Sequence, residues 1–130
     1  MTPQRRREIH QLAEEILQRF ADCMANDVVN VEAMIAKLGG TITRLATNPF
    51  AYEAVIQKHD DSFRIDLRPG YPEVRQRFSL AHELGHLFLH MGFEQPEWGK
   101  LAEGTDSSMA RYGTSDLEYE ANEFAAALLV

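Results

Sequence analysis

Apolar residues recur over the first two dozen positions at three- and four-residue steps: Ile9, Leu12, Ile16, Phe20 and Met24. That spacing predicts an amphipathic helix over 3–24, opened by Pro3, whose missing N–H costs nothing in a first helical turn. Asn30 can cap a second, shorter helix, "VEAMIAKL", which Gly39 and Gly40 close. Three strand-like pieces follow. "TITRLA" (41–46) alternates and is rich in β-branched residues, while "YEAVIQK" (52–58) and "FRIDL" (63–67) flank "HDDS", the signature of a hairpin. Pro69, Gly70 and Pro72 break the pattern, and a helix is predicted from about Glu73 to His90. Residues 92–114 sustain no period and read as a long loop, and a last helix spans 116–130. Helices and strands in this order predict an α+β fold, with helices packed on a small three-stranded sheet as a single domain over 1–130.

Composition narrows the class. The chain is 45% hydrophobic and 25% charged, which is ordinary for a globular core and excludes wholesale disorder. No apolar run approaches the ~20 residues that a membrane-spanning helix needs. The start, "MTPQRRREIHQLAEE", turns acidic and amphipathic where a secretory signal turns apolar, so a cytoplasmic protein is expected. The single cysteine, Cys23, permits no internal disulfide and no cysteine-based metal cluster. Charge is uneven. Residues 1–91 carry 11 Lys and Arg against 12 Asp and Glu, whereas residues 92–130 carry only Lys100 and Arg111 against eight acids. An acidic C-terminal third repels phosphate backbones, so direct nucleic-acid binding is not expected. Arg5, Arg6 and Arg7 read as a solvated helix face.

The chemistry is concentrated in "RFSLAHELGHLFLH" (77–90). On a helical wheel Ser79, His82, Glu83, His86 and His90 fall within one arc of about 100°, and every other position from 78 to 91 is apolar or Gly85. A solvated arc would carry Lys, Arg, Gln or Asn, and this one carries none. The helix is therefore buried nearly all round and faces something polar other than bulk water. His82 and His86, at i and i+4, can turn ring nitrogens toward one ion. Glu83 sits on the flank, within reach of a water on that ion. This is the H-E-x-x-H arrangement of zinc peptidases. Two core histidines with a chance glutamate would instead need three separate buried partners. His90, two turns from His82, reads as a supporting histidine rather than a ligand. His10 and His59 read as surface residues.

A catalytic zinc site needs one more protein ligand. In "SDLEYEANEFAAALLV" (115–130) the apolar face is Leu117, Ala121, Phe124, Ala125, Leu128 and Leu129. Glu118 and Asn122 fall on that face, while Asp116, Glu120 and Glu123 fall opposite with the solvated positions. An inward carboxylate needs a partner, which a metal would supply, and Asn122 one turn later can steady a ligand by hydrogen bond. A capping box is the competing reading for Glu118, reaching back from the third position after Ser115.

"RFSLAHELGHLFLH" followed by "EYEANEFAAALL" resembles the ImmA/IrrE family of metallopeptidases, and the resemblance extends over "VEAMIAKLGG" and the strands. It implies a minimal zincin-like, gluzincin-type domain in which His82, His86 and Glu118 bind Zn2+, with Mn2+ as an alternative, and Glu83 is the general base. It also implies a protein substrate, a helix-turn-helix repressor, since several members cleave such regulators. The chain ends at "LLV" where the family continues past "LLMP", so a C-terminal truncation is expected. It carries no helix-turn-helix of its own, so the regulator is expected on a separate chain.

The reaction implied is metal-assisted peptide hydrolysis, with Glu83 moving the proton. His90, Arg111, Tyr112 and Tyr119 are candidates to stabilise the oxyanion. The acidic 92–114 segment is expected to wall the cleft and to favour substrates with basic segments. Two other classes fit the same residues. One is a catalytically silent metal-binding module that binds a regulator or toxin partner. The other is a closed structural metal site with His90 as fourth ligand.

Overall fold

The computed structural model describes residues 1–44, 53–107 and 115–130. Helix α1 runs Pro3–Arg19, with Thr2 Oγ1 accepting the Arg5 N–H at 3.1 Å as its N-cap and Pro3 in the first turn. Such a cap is worth about 1 kcal/mol. Ile9, Ala13 and Ile16 bury its inner face. The helix does not reach Met24. It stops at Phe20, and after a single 3₁₀ turn at Ala21–Cys23 the strands β1 (Met24–Ala25) and β2 (Val28–Val29) form a two-residue hairpin. Asn26 and Asp27 both adopt positive φ, 52° and 61°, the conformation a type I′ turn demands and one that Asn and Asp tolerate. Phe20 and Met24 kept the helical spacing by coincidence; Phe20 is buried and Met24 is exposed.

Asn30 caps α2 (Val31–Lys37) by accepting the Ala33 N–H at 3.0 Å, and Gly39 at φ 89° ends it. The sheet has the order β3 (Thr41–Arg44), β5 (Ser62–Leu67), β4 (Ala54–His59). β3 and β5 are parallel, and β4 and β5 form the expected antiparallel hairpin on Asp60 and Asp61, again both at positive φ. Residues 45, 46 and 52 of the expected strands lie outside the described residues. Phe63, Ile65 and Leu67 alternate inward along β5.

Helix α3 (Glu73–Leu89) packs across β4 and against the C-terminal helix. Its eight consecutive residues Leu80–Leu87 are all buried, as the wheel required. The 92–114 segment is not structureless. It holds α4 (Pro96–Lys100), whose Trp98 joins the core, and then runs along the open edge of β4. There the Lys58 N–H donates to the Thr105 carbonyl at 2.8 Å, and the Ile56 N–H donates to Ser107 Oγ at 3.2 Å. Lys58 is itself buried, and its ammonium donates to the Trp98 and Leu101 carbonyls at the end of α4. A helix C-terminus with unpaired carbonyls suits a cation. Residues 108–114 lie outside the described residues. The last helix, α5 (Ser115–Leu129), buries Ala121, Phe124, Ala125 and Leu128 and is clasped between α1 and α3. The whole is α+β, compatible with a small zincin-like domain. Among the described residues no helix is long and apolar enough to cross a membrane.

Candidate metal centre

His82 and His86 project from successive turns of α3, their rings 4.9 Å apart between centroids. What brings α5 to them is Gly85. A Cβ there would lie 3.0 Å from Ala121 Cα and 3.1 Å from its carbonyl oxygen, so only glycine lets the two backbones approach this closely. At that separation Glu118 reaches across, with one carboxylate oxygen 2.9 Å from His86 Nε2 and the other 3.2 Å from His82 Nε2. The carboxylate is turned to both histidines, as the inward reading of Glu118 expects.

The opposite ring nitrogens are held from behind. His82 Nδ1 is 2.7 Å from Asn122 Oδ1, and His86 Nδ1 is 2.9 Å from His90 Nδ1. An amide oxygen only accepts, so His82 donates from Nδ1 to Asn122, and its Nε2 is turned toward Glu118. Three donor atoms from His82, His86 and Glu118 all lie within 4.8 Å of one another. Tetrahedral zinc with bonds of ~2.0–2.1 Å separates its ligand atoms by roughly 3.3 Å. The donor types and the 2.9–3.2 Å His–Glu separations fit such an ion. His86 is fully buried, while about a third of the Glu118 side chain is exposed, so the cluster opens to solvent on one side.

Glu83 is fully buried beside the cluster and lines a cleft of about 370 Å³ together with His82, Glu118 and Asn122. Residues that the sequence pattern did not single out form the opposite rim. Glu53 pairs with Arg75 and accepts a hydrogen bond from Ser79 Oγ at 3.2 Å, and Phe78 stands at the mouth. Glu53 precedes β4 and carries no periodic signal; Phe78 was legible only as an apolar helix position.

Several expectations change. Glu120 and Glu123 are not solvated: Glu120 bonds His90 Nε2 at 3.0 Å and Arg5 at 2.9 Å, and Glu123 meets Arg6 and His10. The wheel described α5 alone, and α1 covers the face it left polar. Burial pushes the Glu120 carboxyl up, but hydrogen bonds from Arg5 and His90 together outweigh it and hold it below the usual range. Burial also lowers the His90 pKa, against the pull of Glu120. His90 lies behind His86, its Nδ1 at His86 Nδ1 and its Nε2 at Glu120, so both its ring nitrogens are engaged. Tyr119 is exposed on the flank of the cleft, and Arg111 and Tyr112 lie outside the described residues. Residues 92–107 do not line the cleft. Glu94 pairs with Arg19, and Glu103 accepts from the Asp60 N–H at the far end of the sheet. A second grouping of potential donors, His59, Asp60 and Glu103, is wholly exposed.

A sequence model of the peptidase family described as IrrE N-terminal-like domain matches residues 36–130. No curated protein matches the chain. The chain belongs to the ImmA/IrrE family of metallopeptidases, and the match leaves α1, the β1–β2 hairpin and most of α2 outside it.

Proposed function

We propose, with membership of the ImmA/IrrE peptidase family as premise, that this chain is a zinc-dependent endopeptidase that cuts a transcriptional regulator carried on a separate chain. The observation that supports this best is the Glu118 carboxylate lying against both Nε2 atoms while Glu83 stands buried at their flank. His82, His86 and Glu118 would hold the ion. When bound, the ion supplies Lewis acidity, polarising the scissile carbonyl and lowering the pKa of water to about 7.

The chain's own residues do the rest. Glu83 takes a proton from the attacking water and returns it to the leaving amine nitrogen as the C–N bond breaks. Its burial strengthens every charge interaction it makes. Asn122 and His90 fix the two imidazole planes, so the ligand geometry is set before substrate arrives. The Glu53–Arg75 pair and Phe78 border the groove in which a peptide would lie, offering it charge and an aromatic face.

The test is Glu83→Gln. The variant should keep its fold and bind one zinc per chain. Hydrolysis of a quenched fluorescent peptide library should fall by at least ~100-fold, the lower range for general acid–base catalysis. Loss of the metal in that variant would make Glu83 a ligand and end this mechanism. Retained hydrolysis would place the base elsewhere.

A further inference from the structure

A line of hydrogen bonds leaves the candidate centre on the side away from the cleft. His86 Nδ1 meets His90 Nδ1 at 2.9 Å, His90 Nε2 meets Glu120 Oε1 at 3.0 Å, and the same oxygen accepts from Arg5 Nη2 at 2.9 Å. Arg5 then touches Glu8 at 3.3 Å on the surface of α1. The side chains grow more exposed outward: 0% for His86, 6% for His90, 16% for Glu120 and 33% for Arg5. Both ends of the line are carboxylates, Glu118 at His86 Nε2 and Glu120 at His90 Nε2, and an ion held by His86 Nε2 would replace the proton at the Glu118 end. A carboxylate accepts, so His90 carries its proton on Nε2 and presents Nδ1 as an acceptor. With an ion in place of the proton at Nε2, His86 would donate from Nδ1 to His90.

From this order we infer that Arg5, Glu120 and His90 form a positioning relay that sets the tautomer and ring plane of His86, so that the N-terminal helix completes the metal centre. The inference rests on the proposed ligand role of His86. A lone Glu120 could swing between His90 and solvent. Arg5 pins it, and Arg5 is itself fixed by the Thr2 cap that starts α1 three residues earlier. Of the relay, His90 and Glu120 lie within residues 36–130, the part of the chain that the family model matches, and Arg5 on α1 lies outside it. Outer partners of ligating histidines typically change metal affinity by 10–100-fold when removed.

The experiment measures zinc affinity of the full chain by competition with a chromophoric chelator, and the visible spectrum of its cobalt(II) form. His90→Phe should weaken zinc by ~10–100-fold, and Arg5→Met, one step farther out, by ~3–10-fold, each with a shifted cobalt band. Arg5→Lys, which restores a donor and the charge, should recover most of both. Unchanged affinity and spectrum in Arg5→Met and Glu120→Gln overturn the relay while leaving the ligand set standing. An equal fall in metal-free stability that Arg5→Lys does not rescue reduces Arg5 to packing and overturns it too. A wild-type protein that binds no better than His82→Ala removes the ligand set, and the relay with it.

Discussion

Asn122 is exposed on α5, yet its amide oxygen lies 2.7 Å from His82 Nδ1. A bond made at the edge of water contributes little by itself, so its value is in orienting the ring. Replacing Asn122 by Asp keeps an acceptor in place and adds charge that makes the imidazole a better donor to a metal. Asn122→Asp should therefore retain or raise zinc affinity, whereas Asn122→Leu should lower it by ~10–100-fold; chelator competition reads both. Equal losses in the two variants would show that bulk at this position matters and the hydrogen bond does not. Residues of this kind were visible in the sequence because their polarity contradicts their position. Glu118 and Asn122 share a face with Phe124 and Ala125, and His82, Glu83 and His86 interrupt a run of leucines. Glu120 was invisible by the same rule. It sits where a carboxylate belongs on an isolated helix, and only the packing of the helices gives it partners, His90 of α3 and, 115 residues away in sequence, Arg5.

The pairing of α3 with α5 makes the centre, and Gly85 sets their spacing. Gly85→Val would push a branched side chain into the Ala121 backbone and the Phe124 side chain. Overpacking of this kind costs about 1–3 kcal/mol, and valine regains little helix propensity over glycine. The prediction is a stability loss of that size in urea unfolding, together with weaker zinc binding because Glu118 is carried away from the histidines. A variant that is destabilised yet binds zinc unchanged would mean that the helices part elsewhere. Elements were predicted well where periodicity agreed with a cap, a breaker or a turn, as in α2 with Asn30 and Gly39, α3 after Pro69, Gly70 and Pro72, and the β4–β5 hairpin on Asp60 and Asp61. The pattern failed in two places. Past Arg19 the apolar spacing continued after the helix had ended, and the Asn26–Asp27 turn was a hairpin signal that the spacing masked. In 92–114 the five residues of α4 are too few to show a period, and the strand-edge pairing of Gly104 and Thr105 with Lys58 is made through the backbone, which side-chain patterns do not record.

Across the whole molecule, folding rearranges the charge asymmetry of the sequence. The acidic C-terminal helix is not left as a repelling surface: Arg5 and Arg6 of the basic start meet Glu120 and Glu123, and Glu94 is held by Arg19 in a two-bond pair. The described acids of 92–107 lie away from the cleft, whose rim instead carries the Glu53–Arg75 pair and the exposed ring of Phe78. An acidic wall would make capture of a basic substrate strongly salt-dependent, because exposed charges are screened beyond ~8 Å at physiological ionic strength. A rim with one compensated pair and an aromatic face should instead recognise an apolar segment of its target. The expected result, for metal-loaded protein incubated with casein and with helix-turn-helix repressors encoded beside it, is cleavage of one repressor at a single site and little digestion of casein. The rate should change by less than ~3-fold between low and physiological salt, since the contacts at the rim are short-ranged. Phe78→Ser should slow that cleavage without altering zinc content, as the ring touches the His82 side of the cleft but offers no ligand atom. A steep fall in rate with salt would restore electrostatic capture as the selecting force. Efficient digestion of casein would make the protein a general peptidase and end the regulator assignment.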